Sequence, residues 1–326
     1  MLHMRKAQAE HILYMLIVQR IIYPKALLTV FNAYYKEFAC IADRCKHSCC
    51  IGWEIDVDEA TCALYDTLDG DYADAIRASI DQTDTPHFTL AAHERCPHLD
   101  ERGLCRIITA YGQGALCEIC REHPRFYHET PHGTEVGLGL CCEEACRIVL
   151  FSDNFDEMIE LGKLDGDPYT DAFDATVPRA RVYDILKDKS LCYEDRLARI
   201  SAAFGVDAGI KNDNAWCELL CRLEYLHEEH TELFMLYTGD AEVLPWQQPI
   251  LTNALAYFVY RHCSDAANEA DFAASLGLSL FLERLLASLI ASGHDALDAA
   301  RIISEEIEYS EDNTDTLKSV FYEVTA

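Results

Sequence analysis

Basic residues are scarce in this chain: 27 Lys and Arg stand against 56 Asp and Glu, a net charge of −29 over 326 residues. A nucleic-acid partner requires a dense basic surface to neutralise phosphates, and no Lys/Arg run of that density occurs, so no nucleic acid is expected. Long apolar runs are missing from the N-terminal segment too. Ile12 to Val18 is too short to span a bilayer, Gln19-Arg20 interrupts it, and no small-residue cleavage site follows. No membrane is expected, and the chain is placed in the cytoplasm, where thiols stay reduced. Internal repeats and low-complexity tracts are also lacking.

What is present fits an ordered globular protein: 50% hydrophobic residues, 10% aromatic and a mean hydropathy of −0.07. The length suits one large domain or two ordinary ones. The acid excess keeps such a protein in solution and equally suits a lysine-bearing protein partner.

Sixteen cysteines remain to be explained, and twelve of them fall between Cys40 and Cys146. Reduced, clustered thiols bind metal; a strained Cys49-Cys50 disulfide is disfavoured in that compartment. The uneven distribution divides the chain into a cysteine-rich region at 1–150, a linker-like segment at 151–180 where Gly, Pro and Asp cluster, and a helical domain at 181–326. The expected fold class is mainly α, with a metal-centred N-terminal region of irregular loops followed by a helical C-terminal region.

Periodicity supports the helices. Trp216, Leu219, Leu220, Leu223 and Leu226 share one helix face, Phe272 to Ala291 is apolar on several sides and stops before Gly293, and Ala296 to Tyr309 follows a capping Asp295. Thr316 to Val324 predicts a last short helix, and Ala7 to Tyr35 a leading one broken at Pro24.

Five short segments carry the cysteine chemistry. The first is Phe38-Ala-Cys40-Ile-Ala-Asp-Arg-Cys45-Lys-His-Ser-Cys49-Cys50-Ile-Gly-Trp53-Glu-Ile-Asp56; then come Cys96-Pro-His-Leu-Asp100, Leu104-Cys105, Cys120-Arg-Glu-His-Pro124-Arg125 and Cys141-Cys142-Glu-Glu-Ala-Cys146-Arg147. Thiolate is the soft donor that zinc and iron–sulfur clusters take, and separated loops converging on one centre suit either. Cys62, Cys192, Cys217, Cys221 and Cys263 read as packing residues. His93, His98, His123 and His128 are further potential ligands, although the thiols already exceed the number required.

This pattern resembles the cysteine motif of flagellin lysine-N-methylases, which small zinc- or iron-chelating proteins share: a spaced cysteine, a Cys-Cys pair, then Gly-Trp. In the second half, Asn253-Ala-Leu-Ala-Tyr257-Phe-Val-Tyr260-Arg261-His262 and Ile307-Glu308-Tyr309-Ser310-Glu-Asp-Asn313 look like the methylase's helix ending in arginine and its closing segment. The resemblance runs over roughly residues 20 to 326. It implies transfer of a methyl group from S-adenosylmethionine to flagellin lysines in an enzyme carrying a [4Fe–4S] cluster. Carried over by position, the candidate ligands are Cys40, Cys45, Cys49, Cys50, Cys96, Cys105, Cys120 and Cys142. Of these, Cys45, Cys49, Cys50 and either Cys120 or Cys142 are placed nearest the cluster, with Cys117, Cys141 and Cys146 as packing residues. Cys50 follows Cys49 directly, which departs from the radical S-adenosylmethionine spacing, so no radical mechanism is assigned. The competing reading is a non-enzymatic zinc or iron protein built on the same cysteine module.

Lysine methylation requires a base and a donor site. Asp56 and Asp58 follow the Cys-Cys-Ile-Gly-Trp run, and Asp100 follows Cys96. Asn253, Tyr257 and Arg261, four apart, form one polar stripe on an apolar helix. Asp56, Tyr257 and Arg261 are the catalytic candidates, and Trp53 and Asn253 the donor-binding ones. No glycine-rich loop of the doubly wound methyltransferase type is present; Gly137-Leu-Gly139 is too short.

Overall fold

The structure, a computed structural model, describes residues 29–161, 172–206 and 213–325. By contact the chain divides differently from the expected 1–150, 151–180 and 181–326. Cys40–Arg125 forms one compact unit, and the described residues on either side of it form another.

The larger unit combines a four-stranded sheet with a helical core. Strand order is Arg125–Thr130, Gly133–Leu138, Thr29–Asn32, Met158–Leu161. Thr29 pairs with Thr134 in parallel on one side and with Leu161 antiparallel on the other. Thr29–Asn32 corrects the helix expected over 7–35, most of which lies outside the described residues. The β-branched and aromatic run Thr-Val-Phe fits a pleated surface, and partners distant in sequence decide the matter. Gly137 is needed where it stands, because a Cβ there would overlap the Phe126 ring on the neighbouring strand.

Two helices form the core of this unit. Gln248–Cys263 begins with Pro249 in its first turn, and Glu269–Ala291 begins at Asn268, whose side chain accepts from Asp271 N at 3.0 Å. By length and composition Glu269–Ala291 is the one helix among the described residues able to cross a membrane, yet its whole apolar window is buried inside the protein, as in a core helix. Asp295 caps Ala296–Ile303, as expected, by accepting from Leu297 N and Asp298 N.

Three helix boundaries depart from expectation. Ala296–Ile303 gives way to a π-helical turn, Ser304–Glu308, before the last helix, Glu311–Thr325, which starts five residues early. Asp213–Leu220 stops short of Leu223 and Leu226, because the buried Glu306 carboxylate accepts from Leu226 N at 2.6 Å and His227 N at 3.2 Å. Within the linker-like segment, 162–171 lies outside the described residues, and Thr176–Leu186 is helical with Pro178 tolerated in its first turn.

The Cys40–Arg125 unit is built from short pieces: helices Glu59–Thr67, Asp71–Ala78, Arg106–Tyr111 and Glu118–Glu122, a hairpin of Ile80–Asp81 with His87–Phe88, and turns between them. Its apolar core is small, with Ile55, Val57, Tyr65, Ile76, Phe88 and Ile107 at the centre and six cysteines packed in or against it.

Candidate functional site

Backbone pairing brings the cysteine segments of the small unit together. Cys96 N donates to Cys50 O at 2.9 Å, and Ile51 bridges Arg95. Leu99 bridges Cys105, and Arg106 N donates to His98 O at 2.8 Å, which folds the third segment onto the second. Asp100 closes the turn between them by accepting from Arg102 N and Leu104 N, both at 2.8 Å. Tyr65 donates to Ala115 O at 2.9 Å, and Asp58, which caps Glu59–Thr67, also accepts from Glu118 N at 2.8 Å. Those two bonds fix Cys117 and Cys120 on the first turn of the short helix.

Five thiols thereby converge: Cys50, Cys96, Cys105, Cys117 and Cys120 share one packed cluster. Cys96 and Cys117 are buried and the others half-buried. Burial pushes the Cys96 thiol up to about 12 and raises Cys105, and nearby thiols add to both. The Cys49 thiol, then Ser48 and the Arg95 charge, hold Cys50 below its ordinary value against burial. Cys117 and Cys120 touch, which lowers the first and raises the second. Several thiolates this close repel one another unless a cation sits among them, which is the electrostatic condition of a metal–thiolate centre.

Of the remaining ligand candidates, Cys49 keeps its thiol against that of Cys50. Cys40 and Cys49 are exposed, and Cys45 donates its thiol to His47 O at 2.9 Å. Cys142 belongs to the larger unit, where it precedes the helix Glu143–Leu150 and packs on that unit's core. His98 has both ring nitrogens taken, by Tyr72 at 3.0 Å and Ser79 at 2.9 Å, and burial lowers it to about 4. His93 is exposed. Trp53 donates to Cys49 O at 2.6 Å and lies beside His123, which burial lowers to about 4. Asp56 is exposed.

Sulfurs on one tetrahedral zinc lie about 3.8 Å apart, given Zn–S near 2.3 Å. Among the described residues no three thiols lie within 4.8 Å of one another; the one trio of ligand atoms that close is His227, Glu305 and Glu306. Those carboxylates have other partners: Glu306 holds the 226–230 turn, and Glu305 takes Arg301 at 2.7 Å.

A second polar centre lies in the larger unit, where Tyr257 and Arg261 of the predicted stripe meet at Glu308. Tyr257 donates to Glu308 Oε2 at 3.0 Å and accepts from Leu140 N at 3.3 Å. His262 Nε2 stands 2.9 Å and Arg261 Nε 3.3 Å from Glu308 Oε1. The guanidinium lies over the rings of Phe126, 4.6 Å away, and Tyr309, 5.0 Å away. Burial would raise Glu308, but Arg261 and then His262 hold it below its usual range, so it stays ionised. Burial lowers His262, which keeps its ring neutral. Arg261 Nη1 is buried with no hydrogen-bond partner among the described residues. An unmade buried donor costs about 1–3 kcal/mol. Asn253, the third member of the stripe, spends its amide hydrogens on Leu150 O at 2.9 Å and Ser152 O at 2.8 Å, tying down the end of Glu143–Leu150.

Two residues given no chemical role from the sequence, Cys117 (read there as packing) and Glu308, belong to these centres. Cys117 is three residues before Cys120, a spacing that itself suits metal ligands, and Glu308 lies inside the closing segment Ile307-Glu308-Tyr309.

The chain is 28% identical over 134 residues to lysine-N-methylases of Salmonella typhimurium and Salmonella choleraesuis, a match covering 39% of this chain and 33% of each of theirs. It is 29% identical over 137 residues to the flagellar biosynthetic protein FliU of Salmonella muenchen, covering 39% of this chain and 79% of that one. No protein-family model and no solved structure matches. The chain thus spans about a third of the length of the lysine-N-methylases it matches.

Proposed function

We propose that this protein transfers methyl groups from S-adenosylmethionine to lysine ε-amines of flagellin and carries a [4Fe–4S] cluster in the Cys40–Arg125 unit. The observation that carries the reading is the similarity to lysine-N-methylases and to a flagellar biosynthetic protein; the thiol convergence supports the cluster. Cys50, Cys96, Cys105 and Cys120 hold it, and Cys117 is a fifth thiol against Cys120. When bound, the cluster ties four separated segments of a thinly cored unit together.

A lysine ammonium has no lone pair, and removing its proton at neutral pH costs about 4–5 kcal/mol from a reference pKa near 10.4. The ionised Glu308 carboxylate, joined to the Tyr257 hydroxyl in a water-poor setting, is the acceptor assigned to that proton. Held below its usual range it is a weak base, so most of the cost is met by desolvation of the ammonium. Arg261 and His262 keep it charged and oriented.

Intact-mass measurement of flagellin after incubation with the anaerobically purified protein and S-adenosylmethionine tests the reading. Increments of about 14 Da per methyl are expected; an unmodified flagellin with a cluster-replete enzyme refutes it. The cluster predicts a brown protein that bleaches on reduction, whereas a colourless preparation with one stoichiometric zinc refutes that part alone.

A further inference from the structure

The unpaired donor on Arg261 has a use that the proton-transfer reading leaves open. Arginine presents five N–H groups in a fixed plane. Here Nε faces Glu308 Oε1, Nη2 donates to Glu308 O at 3.3 Å, and Phe126 and Tyr309 cover the two faces. The side chain therefore cannot swing away to find another partner. Nη1 is the edge left over, and it is buried with its donors unmade. Tyr309, which covers one face, is exposed at the surface, while Arg261 Nη1 and the Glu308 side chain behind it are shielded from solvent.

We propose that Arg261 Nη1 binds the α-carboxylate of the methyl donor. The proposal rests on the methyltransferase reading and assigns Arg261 to donor binding rather than to proton transfer. A planar monoanionic acceptor matches the free edge of a guanidinium whose charge is already partly balanced by Glu308. Of the two substrates, only the donor is certain to bring such a group: it carries a free amino-acid carboxylate, whereas a lysine within a protein has its carboxyl in a peptide bond. Glu308 then has two tasks on two faces, fixing the guanidinium through Oε1 and engaging Tyr257 through Oε2. The π-helical turn Ser304–Glu308 sets that carboxylate into the interior, and such turns recur at functional sites.

Calorimetric binding of S-adenosylmethionine and of its decarboxylated analogue to the full chain tests the assignment. Wild type is expected to prefer the carboxylate-bearing donor by tenfold or more, on the order of one charge-assisted hydrogen bond. In Arg261→Gln that preference collapses to about twofold or less, chiefly because S-adenosylmethionine weakens, and Arg261→Lys, which keeps the charge, falls between. Equal weakening of both ligands in Arg261→Gln and Arg261→Lys means structural damage only and overturns the proposal, as does a wild type that does not discriminate. Wild-type methylation of flagellin with a preference that Arg261→Gln leaves intact removes this assignment alone. A wild type that binds neither ligand removes the methyl-donor reading with it.

Discussion

Replacing Glu308 by Gln removes one negative charge from a side chain that is wholly shielded from solvent. The amide still offers an oxygen to Tyr257, but Arg261 is left as a buried cation whose main acceptor has become a neutral group. Removing one partner of a buried ion pair costs about 3–5 kcal/mol, because the other charge is left uncompensated. In a unit of roughly two hundred residues each kcal/mol lowers Tm by about 2–4 °C, so a fall of about 6–20 °C is expected. The double variant Glu308→Gln/Arg261→Met removes both charges and should recover most of that loss, since an apolar side chain between Phe126 and Tyr309 needs no counter-ion. Urea and thermal unfolding of wild type, both single variants and the double variant give the coupling directly. A Glu308→Gln loss below about 1 kcal/mol, or a double variant less stable than either single one, would refute the account of this centre as a tightly paired buried carboxylate.

The remaining predictions concern other parts of the chain. Cys50→Ser and Cys120→Ser should lose iron and visible absorbance while Cys40→Ser and Cys263→Ser keep both; four variants with equal iron content would undo the ligand assignment. Gly137→Ala should destabilise by about 1–3 kcal/mol, because the new Cβ overlaps the Phe126 ring and the strand must shift, which urea midpoints will show. His98 and His123 have folded-state pKa values of about 4, below the ordinary 6.5. Each therefore contributes stability that is present above pH 6.5 and is lost as pH falls from there toward 4, where the unfolded chain takes up protons that the folded one refuses. Stability should drop across that window, and His98→Gln should flatten the drop; an unchanged slope would count against a buried neutral His98.

Much of this molecule was readable from residue order. Chain composition sets a mainly helical, acidic protein, and local chemistry sets the helix starts: Asn268 and Asp295 cap because a short polar side chain reaches its own following N–H groups, which needs no tertiary contact. The clustering of cysteines likewise marks one region of the chain without any coordinates. Pairings over long distances were not readable. Thr29–Asn32 becomes a strand only because Thr134 and Leu161 flank it, and the helix after Asp213 ends early because Glu306 captures Leu226 N from 80 residues away. The same holds within the candidate site. Cys-rich spacing names many possible ligands, but only backbone bonds such as Cys96 N to Cys50 O and the Asp58 clamp on Glu118 bring Cys50, Cys96, Cys105, Cys117 and Cys120 to one place. Helical spacing puts Asn253, Tyr257 and Arg261 on one face, yet a π-helical turn some 50 residues on supplies the Glu308 that joins two of them while the third fastens a different helix. Periodicity reports which way a side chain points along its own element; which distant group meets it depends on the packing of all the others.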